Sequence, residues 1–70
     1  MTSEIQIIVN GEARSVPVGL GVPGLLRHLG LPADRVAIER NLEVLPRSQW
    51  VATDVKPGDE FEIVHMVGGG

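Results

Sequence analysis

Apolar residues recur at every second position near both ends of this chain and at helical spacing in its middle. Over residues 4–10, Ile5, Ile7 and Val9 share one face while Gln6 and Ile8 occupy the other, the period-2 pattern of a half-buried strand. Asn10-Gly11 signals a tight turn, and a second strand over residues 14–18, with Val16 and Val18 on one face, completes a hairpin. Pro17 has no N–H to give to a ladder, which places this second strand at a sheet edge. From Val22 the period lengthens. Val22, Leu25, Leu26 and Leu29 fall at i, i+3, i+4 and i+7 and predict a short helix with its apolar stripe toward the core and Arg27 and His28 turned away. Pro23 suits the first turn of that helix, and Gly30 stands where a left-handed residue ends one. At roughly eight residues the helix is marginal alone and depends on packing.

A third strand is predicted over residues 36–40, with Val36 and Ile38 inward, followed by a turn from Asn41 and a brief extended piece over residues 43–45 that stops at Pro46. Residues 46–50 read as a turn or a single 3₁₀ turn, with Trp50 anchoring the loop against one end of the core. Lys56-Pro57-Gly58-Asp59 is a strong turn signal. The last strand spans residues 60–67, with Phe61 and Ile63 on one face and Val64 and Met66 on the other. The order ββαβ(β)β, with one helix for one sheet face, predicts an α+β roll: a mixed sheet with one main helix packed on it.

Composition narrows the function classes. Seventy residues make one small domain with no room for a deep enclosed active site. Without cysteine there is no disulfide framework, thiolate metal cage or thiol nucleophile. Nine acidic residues against six basic give a net charge of −3, and the basic positions (14, 27, 35, 40, 47, 56) are scattered singly, which counts against nucleic acid. No apolar run approaches membrane-spanning length, and Met1-Thr2-Ser3-Glu4 carries neither a basic stretch nor an apolar one, so the expectation is a cytoplasmic protein with no membrane partner.

Most candidate chemistry dissolves on inspection. Gly19-Leu20-Gly21-Val22-Pro23-Gly24 matches G-x-G-x-x-G, with Glu39 near the spacing of a ribose-binding acid, but Pro23 deletes a donor that a pyrophosphate would need. A turn entering a short helix is the simpler reading. His28 and His65 do not make a metal site, so no metal and no bound cofactor are expected. Asp59, Glu60 and Glu62 form a carboxylate run, with Glu60 and Glu62 on the solvent side of a strand. Ser3, Ser15 and Ser48 have no neighbouring histidine and acid to activate them.

The residual feature is Gly68-Gly69-Gly70. A frayed end, a tether and a functional α-carboxylate are the three readings open for it. Glycine lacks Cβ, so an extended Gly-Gly threads a narrow channel and leaves its carbonyl carbon unshielded. Residues 67–70 reach roughly 13 Å at about 3.3 Å per residue. A carboxylate must first be activated, for example as a mixed anhydride with AMP, by a partner that uses ATP. A sulfur nucleophile then displaces AMP and leaves a thiocarboxylate. In that reading the chain is a carrier and not an enzyme. If the helix covers the Phe61 face, Val64 and Met66 are exposed beside the tail as a partner-binding patch, continued by Val67 and Gly68.

Five segments in this order resemble the ThiS family, the sulfur carriers of thiamine biosynthesis, with the ubiquitin-like β-grasp fold: Ile8-Val9-Asn10-Gly11-Glu12; Leu25-Leu26 with Leu29-Gly30; Val36-Ala37-Ile38-Glu39-Arg40-Asn41; Leu45-Pro46-Arg47-Ser48-Gln49-Trp50; and Pro57-Gly58-Asp59 leading to Ile63-Val64 and Gly69-Gly70. Gly21 departs from the polar residue that family members often place before the helix. The resemblance implies a β-grasp domain over residues 1–66 and a flexible tail over residues 67–70. It implies adenylation of Gly70 by a ThiF-like, E1-like adenylyltransferase, with Gly69 as its steric companion, then sulfur from a donor protein and delivery at a ThiG-like thiazole synthase. ATP and Mg²⁺ would belong to the adenylating partner. The small subunit of molybdopterin synthase, another pathway's sulfur carrier and a ubiquitin-like protein modifier share fold and tail and stand as alternatives.

Overall fold

The computed structural model describes residues 3–66. Two strands, β1 (Glu4–Val9) and β2 (Glu12–Pro17), form the predicted hairpin, followed by the helix α1 (Val22–Leu29) and a 3₁₀ turn at Ala33–Arg35. Strand β3 (Val36–Arg40), the two-residue β4 (Glu43–Val44), a second 3₁₀ turn at Arg47–Gln49 and β5 (Glu60–His65) complete the chain. The sheet order is β2-β1-β5-β3-β4, with β1 and β5 parallel and the other pairs antiparallel. The last strand in sequence is therefore the middle strand in space.

Local chemistry explains the elements. Asn10 and Gly11 take φ of 51° and 83°, the paired left-handed conformation of a hairpin turn whose twist matches its strands. The helix ends at Gly30 with φ 73°, where its N–H donates to the Arg27 carbonyl and that of Leu31 to the Leu26 carbonyl. This is a Schellman closure, and Leu31 packs back on the core as that motif requires. Val22, Leu25 and Leu26 are buried against Ile7, Val9, Val16, Val36, Ile38, Phe61 and Ile63, so the helix covers the inner face of the sheet. Trp50 is buried as expected, donating its indole N–H to the Leu45 carbonyl (3.0 Å) under the Arg47 guanidinium.

Two expectations need correction, and one element was not expected. The second strand runs over Glu12–Pro17, not residues 14–18, so Val18 lies beyond its end and is exposed while Val16 is buried. The Val18 N–H still donates to the Ser3 carbonyl in the same register, one cross-strand bond beyond Pro17. The described last strand stops at His65, with Met66 beyond it. The turn at Ala33–Arg35 carries no sequence pattern that announced it.

Candidate functional site

With the helix on one face, the other face of the sheet is open. Strand alternation sends Glu4, Gln6 and Ile8 of β1, Ala37 and Glu39 of β3, Val44 of β4 and Glu60, Glu62 and Val64 of β5 outward. The register pairs Ala37 with Val64, Glu39 with both Glu62 and Val44, and Ile8 with Glu60. Val64 and Met66 are about half exposed, 56% and 52%, whereas Phe61 and Ile63 on the inner side are buried. The two faces of β5 thus divide as the alternation predicts. Leu42 and Val44 extend the exposed apolar surface at 85% and 74%; nothing in the strand pattern singled them out.

The face holds only shallow relief. One depression of about 140 Å³ lies between Ala37, Ile38, Glu39, Val44, Glu62 and Val64, and another of about 110 Å³ is bounded by Ile8, Glu39, Leu42, Glu60 and Glu62 among others. Both are below the size of pockets that enclose a small molecule. A larger polar groove beside β4 contains one cation, Arg40, whose Nε already donates to Asp59 at 3.0 Å. Such a surface suits a macromolecule better than a metabolite.

One acid departs from the solvated reading. Asp59 is buried, while Glu60 and Glu62 are exposed as expected. Its carboxylate accepts from Arg40 Nε, from Asn41 Nδ2 (3.2 Å) and from the Lys56 N–H (2.9 Å). Burial opposes its ionisation, but those three donors outweigh the desolvation and hold the carboxyl below the usual aspartate range. The network sits at the start of β5 and positions it, with no access for a substrate. Among the described residues no cluster of three metal-ligating side chains occurs. The glycine-rich 19–24 segment is not a phosphate cradle: the Val22 N–H donates to the Thr53 carbonyl and the Leu25 N–H to that of Gly21. The expected chemistry at Gly69 and Gly70, and the contacts expected of Val67 and Gly68, lie outside the described residues.

The ThiS family matches residues 7–70, a span that takes in both the sheet and the glycines. The chain belongs to the ThiS family. It is 30% identical over 66 residues to the sulfur carrier protein ThiS of Escherichia coli, covering 94% of this chain and 100% of that one. The crystal structure of the thiamine biosynthesis protein ThiS from Geobacter metallireducens matches with a TM-score of 0.80 at 40% identity, over 94% of this chain and all of the other. The ubiquitin-like β-grasp fold is thereby established. The chain is also 41% identical over 66 residues to a thiazole synthase of Paramagnetospirillum magneticum, covering 94% of this chain but 20% of that protein. ThiS-like sequence therefore spans about a fifth of the thiazole synthase it matches. No helix in the described residues is long and apolar enough to cross a membrane.

Proposed function

We propose that this ThiS-family chain carries sulfur as a C-terminal thiocarboxylate on Gly70 for formation of the thiazole ring of thiamine. Supporting this most directly is the family match running through Gly69 and Gly70, so the glycines belong to the shared pattern together with the fold. A ThiF-like enzyme transfers AMP from ATP to the Gly70 carboxylate and releases pyrophosphate. Sulfur at the oxidation level of sulfide, supplied by a donor protein, attacks the acyl carbon. The C–O bond to AMP breaks, AMP leaves, and a C–S bond remains. Residues 67–70 serve as the tail that enters the partner, and Gly69 and Gly70 keep the acyl carbon free of side chains. Val64 and Met66 hold the body on the enzyme, and Val67 and Gly68, the first residues of the tail, continue that partner contact. The likeness to a thiazole synthase favours a ThiG-like enzyme as the sulfur acceptor.

Intact-mass measurement after incubation with a ThiF-like enzyme, ATP and a sulfur donor tests the reading. The expected product has one oxygen replaced by sulfur, and neither Gly70→Val nor a chain extended past Gly70 forms it. Product from either altered chain at the unaltered level overturns the assignment, while isopeptide conjugates in its place point to a protein modifier.

A further inference from the structure

The outward charges of the sheet are all negative. Glu4, Glu39, Glu60 and Glu62 project from the open face, and neither basic residue of the strands, Arg14 or Arg40, joins them. Arg40 is held by Asp59, Arg47 lies over Trp50 and donates to the Ala33 and Val36 carbonyls, and Arg14 pairs across from Ile7 on the other side of the hairpin. With the four outward glutamates set aside, five acidic and six basic residues remain, so the protein's excess of acid over base comes from these outward strand positions.

Glu39 stands directly opposite Glu62 on neighbouring antiparallel strands. Like charges in that relation oppose sheet formation. Among the described residues neither carboxylate has an ion pair or a side-chain hydrogen bond to offset it. Val44 flanks the pair on one side, Ala37 and Val64 on the next row, with Met66 beyond. A surface this apolar with an unrelieved charge pair at its centre is poorly suited to stand alone and well suited to a cation.

We propose that the open face docks a protein partner through that partner's arginine or lysine, received between Glu39 and Glu62 while its apolar neighbours cover Val44, Val64 and Met66. The inference rests on the carrier reading, because it names the surface chemistry of the enzyme that holds the body as the tail is charged. A second copy of this chain meeting face to face would set carboxylate against carboxylate. Anionic lipid or nucleic acid is repelled for the same reason. A purely apolar partner would strip water from the two glutamates and return nothing. Arginine fits best, since its fork addresses two carboxylates together.

The test is calorimetric titration of the carrier into the ThiF-like enzyme of the same organism, at rising sodium chloride, with Glu39→Gln, Glu62→Gln and the double variant. Wild-type affinity should weaken as salt rises. The double variant should bind about tenfold more weakly at low salt and with a flatter salt dependence. Its thermal midpoint should equal or exceed the wild-type value, which separates lost docking from lost folding. Unchanged affinity and salt slope in the double variant, with Val64→Asp still weakening binding, overturns the proposal in favour of an apolar contact. A wild-type dimer in sedimentation that Val64→Asp dissolves overturns it in favour of a second copy. Intact mass on the same samples keeps the two readings apart: a thiocarboxylate with unaltered binding by the double variant removes this inference alone, whereas absence of both charging and binding in the wild type removes the carrier reading and this with it.

Discussion

Leu42 holds a φ of 71° directly after Asn41 at 53°, so the turn between β3 and β4 has two left-handed residues where Asn-Gly would be the natural pair. A side chain there costs about 1–2 kcal/mol, and an 85% exposed leucine recovers little of it by burial. Leu42→Gly removes the strain but adds about 0.5–1 kcal/mol of chain entropy to the unfolded state. The net expectation is a gain of about 0.5–1 kcal/mol, read as a higher urea midpoint with an unchanged slope. The two asparagines at the hairpin turns act differently from Leu42. Asn10 bonds both the N–H and the carbonyl of Ile63, and Asn41 accepts the Glu60 N–H while donating to Asp59. Each therefore clamps β5 from one side. Their turn propensity is visible in the sequence, but the clamp is not, because its partner lies 53 residues away for Asn10 and 19 for Asn41.

At the scale of elements, α1 shows how far local signals reach. Its stripe, its Pro23 entry and its Gly30 exit all follow from spacing and backbone chemistry, and each stands where the pattern predicts. Eight residues do not sustain a helix in water, so the closure at Gly30 matters more here than in a longer one. Gly30→Ala should cost about 1 kcal/mol by forcing a Cβ into the left-handed region, with nothing nearby to clash, so the loss reports conformation alone. Equilibrium denaturation measures it, and a neutral result would mean that the helix end relaxes without the cap. The second strand marks the opposite case. Val16 and Val18 alternate correctly, yet the strand ends at Pro17 because its partner begins at Glu4, with one last bond from the Val18 N–H to the Ser3 carbonyl beyond it.

For the molecule as a whole, Asp59 connects folding to pH. It joins β3, the turn before β5 and β5 itself through Arg40, Asn41 and Lys56. Because its carboxyl is more acidic folded than unfolded, it stabilises the fold at pH above the unfolded aspartate value of about 3.9, and this is lost as pH falls through the folded value. Asp59→Asn should lower stability by about 2 kcal/mol near neutral pH, since it weakens bonds to a charged and a buried partner. The gap between variant and wild type should narrow below about pH 4. Parallel stability curves across that range would show that Asp59 titrates as an unperturbed acid. The residue type gave no hint of this role: in Gly58-Asp59-Glu60 an aspartate reads as a turn former, and only the approach of β3 supplies Arg40.

The sequence by itself determined the order of strands and helix, the inner and outer sides of β5 and the family resemblance of five segments ending in Gly69-Gly70, because periodicity, capping and turn chemistry act within a few residues. Only the tertiary structure decided that β5 sits between β1 and β3, that Asp59 is buried and that Glu39 faces Glu62. Those depend on register between strands far apart in the chain, and register is set by how the inner faces pack under the helix, a property of the assembled core that no local window contains.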